Sequence, residues 1–138
     1  MKIIERRKVS RNCAECKRFR PNSFCDLPEP VFRELADLMI CRRYTRGSAI
    51  FIEGQPSKGV YVLCSGRAKL SAYSEEGKAI ILRVSEPGEV LGLSAVVSGT
   101  SFEKTGHVID DCYIGFIKRK DFLRFIEKHH EAALNAAS

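Results

Sequence analysis

Three cysteines near the start of the chain are the side chains best able to do chemistry. Cys13 and Cys16 stand as C-x2-C, and Cys25 follows after eight further residues. Two thiolates three positions apart can hold one metal ion from a single turn of chain, which is why this spacing recurs in zinc and iron–sulfur sites. A metal, a cluster or thiol redox chemistry all fit it, and an ordinary reduced cysteine arm is the competing reading. The chain has six cysteines in all. Met1 to Lys8 is charged with no apolar stretch behind it, so it does not read as a secretory leader. Cysteines without such a leader argue against a disulfide scaffold, and the chain is expected in the cytoplasm.

Other catalytic patterns are missing. The three histidines are His107, in a β-rich run, and His129 and His130, at a helix junction. They do not form a His and Glu set for a metal enzyme, and there is no Gly-x-Ser-x-Gly elbow or phosphate-binding loop with lysine. The chain is therefore not expected to be an enzyme; a small-molecule enzyme on a cupin-like barrel would need a metal held by His and carboxylate inside the barrel.

Charge is concentrated at one end. Of the 23 basic and 17 acidic residues, eight basic and two acidic ones lie in residues 1–24, so the whole net charge of +6 sits there. The rest is balanced and offers no basic nucleic-acid surface. The basic arm could meet phosphate or stand as a solvated terminus. No run approaches the roughly 18 apolar residues of a membrane span, so no membrane partner is expected.

The 138 residues suffice for one domain with a real core. Residues 1–26 read as a basic, Cys-bearing arm. Leu27 to Met39 has Val31, Leu35, Leu38 and Met39 at helical spacing, opened by Pro30 or capped by Asp26. From Cys41 the period changes to short β-rich runs: Ala49–Ile52, Val60–Leu63, Ala68–Tyr73, Ala79–Val84, Glu89–Leu91, His107–Ile109 and Cys112–Ile117. Turn signals such as Glu53-Gly54-Gln55-Pro56, Ser65-Gly66 and Pro87-Gly88 separate them, and Glu75-Glu76-Gly77-Lys78 reads as a hairpin loop. Lys120–Glu127 and His130–Ala137 read as helices. The expected fold is mainly β with flanking helices: an antiparallel jelly-roll barrel (a double-stranded β-helix) after an N-terminal helix and before C-terminal ones.

Glu-Gly-Gln-Pro at 53–56, Leu-Cys-Ser-Gly at 63–66 and Pro-Gly-Glu-Val-Leu-Gly at 87–92, in that element order, resemble the sensor domain of the Crp/Fnr family of bacterial transcription regulators. The resemblance runs from about residue 13 to residue 138. It implies a cyclic-nucleotide-binding-like barrel over residues 27–129 and the start of a dimerisation helix over 130–138. It also implies a homodimer in the full-length regulator, and DNA binding through a helix-turn-helix domain that this sequence does not include. The implied effector pocket comprises Gly88, Glu89, Val90, Leu91, Gly92, Leu93, Ser94, Lys104 and Thr105. Members that bind cAMP hold the ribose with a Gly-Glu pair and the cyclic phosphate with an Arg followed by Ser or Thr. Here Leu93 follows Gly92, and Ser101-Phe102-Glu103-Lys104-Thr105 stands where the arginine is due. Glu103 repels phosphate, so cAMP is not expected in the usual manner.

The cysteine arm is similar to the iron–sulfur arm of the Fnr branch, with a wider second gap. By that likeness Cys13, Cys16 and Cys25 would be ligands of an iron–sulfur cluster or zinc, with Cys112 as the fourth. Cys41 and Cys64 are the other candidates, although a buried cysteine commonly behaves as a small apolar residue. The expected function is effector sensing and dimerisation for a Crp/Fnr-like regulator, the signal entering at the barrel or the cysteine arm. The alternative is a stand-alone module that binds a cyclic nucleotide or another small effector.

Overall fold

The computed structural model describes residues 24–137, with side chains described up to Leu134. The elements run α1 (Glu29–Leu38), β1 (Ile40–Tyr44), β2 (Ala49–Phe51), β3 (Gly59–Ser65), β4 (Ala68–Tyr73), β5 (Ala79–Ser85) and β6 (Val90–Leu91). They continue with α2 (Leu93–Ser98), β7 (Thr105–Val108), β8 (Cys112–Lys118), α3 (Arg119–Lys128) and α4 (His130–Ala137).

The strands form two four-stranded sheets, ordered β1-β8-β3-β6 and β2-β7-β4-β5, with antiparallel pairing. This is the expected jelly-roll architecture of mostly antiparallel strands with flanking helices. The first sheet is buried on both faces, and β3 shows why. Side chains alternate across a strand, so Val60, Val62 and Cys64 join a core beneath the helices, with Leu35, Phe122 and Phe125. Leu63 joins a second core between the sheets, with Phe51, Leu70, Leu91, Phe102 and Ile114, and Tyr61 packs against it. A fully buried Phe or Leu contributes about 1.5–3 kcal/mol by leaving water, so the helix-side core secures α1 and α3 to the barrel.

Helix α1 turns Phe32, Leu35 and Ala36 inward. Pro30 lies in its first turn, where its missing N–H removes no helix hydrogen bond. The residue before the helix is the extended Pro28, so Asp26 is not the cap, and the helix opens at Glu29, one residue ahead of Pro30. Residue Gly77 has φ +82° in the β4–β5 hairpin, as its loop position requires.

Two elements depart from the sequence expectation. Strand β1 carries Arg42 and Arg43 side by side on an exposed stretch, which hides its apolar period; its pairing with β8 from Ile40–Phe116 to Tyr44–Cys112 makes it a strand. Residues 93–98 form a helix despite Val96 and Val97, because Gly92 and Gly99 adopt left-handed φ of +85° and +74° and bound a single short turn. In addition, β7 starts at Thr105 and not at His107. Among the described residues no helix is long and apolar enough to cross a membrane.

Candidate functional site

The segment from Gly88 to Ser94 leaves β5, turns, forms β6 and enters α2. The turn is stitched to β3: the Gly88 N–H donates to the Leu63 carbonyl at 2.7 Å, and the Leu63 N–H donates to the Glu89 carbonyl at 3.0 Å. Val90 leans on the helix-side core and Leu91 enters the inter-sheet core. At Gly92 two demands coincide. Its φ is +85°, and a Cβ there would stand 2.9 Å from the ring of Phe102. Leu93, at the position where the resemblance has a carboxylate, packs against the helix-side core. Ser94 is exposed.

The segment 101–105 crosses in front of that turn, and Phe102 decides its path. The Phe102 ring is 5% exposed and stacks on Phe51 at 4.4 Å, with Tyr61 at 6.4 Å. Its N–H donates to the Gln55 carbonyl at 3.0 Å, and its carbonyl accepts from the Gly54 N–H at 2.8 Å. Phe102 is therefore held by both backbone and ring. With Phe102 inward, Glu103 faces solvent and Lys104 is half-buried. The buried Thr105 hydroxyl accepts the Glu53 N–H at 2.9 Å, so it serves the β2–β7 junction.

The sequence reading missed one residue. Arg83, on β5, forms an ion pair with Glu89. Arg83 is opposite Leu70, and Leu70 is opposite Gly106. Directly opposed residues share a face, so Arg83 springs from the same inward row as Leu70, at the open edge of the sheet. Its signal in the sequence is a lone arginine inside the apolar run Ile80-Ile81-Leu82-Arg83-Val84.

Among the described residues, Cys25 and Cys112 are not brought together. Cys13 and Cys16 lie outside the described residues. Cys25 is buried in the helix-side core with Cys41 and Cys64, while Cys112 is in the inter-sheet core, on the other face of the same sheet. The Cys112 thiol donates to the carbonyls of Asp110 at 3.1 Å and Arg67 at 3.4 Å. Burial, reinforced by the Asp110 carboxylate, pushes it up to about 11, so it is a neutral thiol at physiological pH. Among the described residues no group of three or more His, Cys, Asp or Glu side chains is placed to hold a metal ion.

The N-terminal end of the described chain does touch the site. The Cys25 N–H donates to the Gly88 carbonyl at 3.0 Å, and the Phe24 ring packs on Phe122 at 5.8 Å and Phe125 at 6.4 Å. At the far end of α3, Glu34 accepts from Lys128 and meets His129, both at 3.1 Å. One chain of contacts thus runs from the pocket turn to the junction of α3 and α4.

Residues 41–129 match the family model described as "Cyclic nucleotide-binding domain". The chain is 29% identical over 82 residues to the global nitrogen regulator of Synechococcus elongatus, covering 57% of this chain and 37% of that protein. Its fold is similar to that of the catabolite activator protein of Thermus thermophilus, with a TM-score of 0.75, 23% identity, and 86% of this chain and 55% of that one covered. It is also similar to the N-terminal domain of a transcriptional regulator from Streptomyces coelicolor A3(2), with a TM-score of 0.69, 24% identity, and 86% and 82% covered. The chain spans about a third to a half of the length of the first two.

Proposed function

Since the chain belongs to the cyclic nucleotide-binding domain family, we propose that it is the non-catalytic effector-sensing module of a DNA-binding transcription regulator of the Crp/Fnr kind. The observation that carries this reading is the family match over residues 41–129, which spans both sheets. The similarity to a nitrogen regulator and to the catabolite activator protein supports it.

In this reading an effector at the Gly88–Ser94 turn biases a two-state dimer through α3 and α4. The contacts from Gly88 through Cys25 and Phe24 to Phe122 and Phe125 supply the path. The effector is not a cyclic nucleotide held in the usual manner. Leu93 cannot bond a ribose hydroxyl, and Phe102 and Glu103 cannot serve a phosphate, which needs a guanidinium or backbone N–H groups. The cysteine arm is a second sensing element in the proposal. Cys13, Cys16 and Cys25 would hold the cluster or zinc, and Cys112 could join them only by leaving two carbonyl partners and losing a firmly held proton.

The test is DNA binding by the full-length gene product. Footprinting on genomic fragments is expected to show site-specific protection over paired half-sites, as a dimer gives. A product that protects no site under any growth condition overturns the regulator reading and leaves the stand-alone effector module.

A further inference from the structure

We propose that Arg83 is the anion-binding residue of the effector pocket, and that Glu89 is an internal carboxylate which an anionic effector displaces. The inference rests on the effector-sensing reading above and names the chemistry of its ligand: a small molecule carrying a carboxylate or a phosphate.

Three observations converge. Arg83 rises from the inward row of the second sheet, beside Leu70 and Gly106, and not from the outer face. Its guanidinium engages Glu89, whose side chain is only 13% exposed while that of Arg83 is 55% exposed. An exposed pair of long side chains contributes little, but a largely buried carboxylate is fixed in place, and here it holds the arginine against the turn that begins at Gly88. Ser85, two residues along on the same face, is fully buried, and its hydroxyl has no hydrogen-bond partner among the described residues. Leu70, opposite Arg83 in the ladder, belongs with Leu91 and Phe102 to the inter-sheet core.

Arginine suits the task because its planar fork takes an oxyanion through two parallel N–H bonds, and an incoming carboxylate reproduces what Glu89 offers. The exchange also has a consequence. Glu89 follows Gly88, whose carbonyl accepts from Cys25, so releasing the Glu89 side chain loosens the turn that the N-terminal segment grips. Lys104 is the competing cation. It lacks the fork, and it follows Phe102, whose ring and backbone are locked.

The test is calorimetric titration of the whole chain with succinate, inorganic phosphate and cAMP at millimolar concentration, succinate and phosphate separating the two oxyanion classes. Wild type is expected to bind at least one of the first two. Glu89→Gln, which removes the internal competitor, should bind about tenfold tighter, a change of about 1.4 kcal/mol. Arg83→Ala should abolish binding, Arg83→Lys should weaken it, and Lys104→Ala should leave it unchanged. Near-ultraviolet circular dichroism checks that each variant is folded. The proposal is overturned if neither anion binds wild type or Glu89→Gln, or if binding survives Arg83→Ala. Binding of cAMP that is lost in Lys104→Ala alone also overturns it while leaving an effector module standing; failure of the regulator reading shows separately, in the DNA footprint.

Discussion

The ring of Phe102 lies 4.4 Å from that of Phe51, with the two planes 21° from parallel. That contact turns the segment expected to reach for an effector into part of the inter-sheet core. Phe102→Ala is therefore expected to cost about 3–5 kcal/mol in urea unfolding, as for a buried Phe elsewhere. A loss within about 0.5 kcal/mol, the range of ordinary surface changes, would show that the ring is not core.

Gly92 and Gly77 make a controlled pair. Both have positive φ, +85° and +82°, but a Cβ on Gly92 meets Phe102 at 2.9 Å whereas one on Gly77 meets nothing within 4 Å. Alanine at either position bears the conformational cost of a left-handed residue, about 1–2 kcal/mol. Gly92→Ala should exceed Gly77→Ala by the cost of moving the ring. Equal losses in thermal unfolding sink the close-packing argument.

Cys112 should make the fold alkali-sensitive. Its ordinary value is 9.0, and burial pushes it to about 11 in the folded chain. Between those values the unfolded thiol has released its proton while the folded one keeps it, so rising pH favours unfolding. Stability is expected to fall from about pH 9 to 11, and Cys112→Ala should flatten that slope. A slope unchanged in the variant assigns the alkaline loss to other groups.

Glu34 clasps the junction between α3 and α4. The Lys128 hydrogen bond, aided by His129, holds its carboxyl below the ordinary 4.5. A depressed carboxylate stabilises above its unfolded value and loses that effect as pH falls through its folded one. Amide exchange near His129 is expected to quicken in Glu34→Gln at neutral pH, and the difference from wild type should vanish in acid. Identical exchange at neutral pH would show that the clasp does not restrain the junction.

Metal analysis tests the cysteine arm. Anaerobically purified protein is expected to carry iron or zinc that is lost in Cys13→Ala and Cys16→Ala. The metal should survive Cys112→Ala, since that thiol lies on the opposite face of the sheet from Cys25. Protein free of both metals, or metal retained in the Cys13 and Cys16 variants, ends the ligand reading.

Much of the barrel was legible in the chain. Short apolar, β-rich runs between turn signals placed β3, β4, β5 and β8 to within about two residues, because a strand covered on both faces, as β3 is, stays apolar at consecutive positions. The glycines at 77, 88 and 92 marked turns for a local reason, a positive φ that other residues adopt at a cost. Strand β1 was not legible, since paired arginines obscure its period. Nor was α2, a six-residue helix too short to show a helical period and bounded by Gly92 and Gly99.

For the site, the sequence by itself determined which groups are missing: a carboxylate after Gly92 and an arginine in 101–105 are questions of residue type and local spacing. Tertiary structure alone decided where the remaining groups point. Arg83 and Glu89 meet because the β5–β6 turn folds back at Gly88, and Cys25 and Cys112 are parted because a sheet buried on both faces runs between them. Residue types and spacing fix local chemistry, but which distant side chains share a face depends on strand register and sheet order, and these are set by burying both layers of the barrel at once.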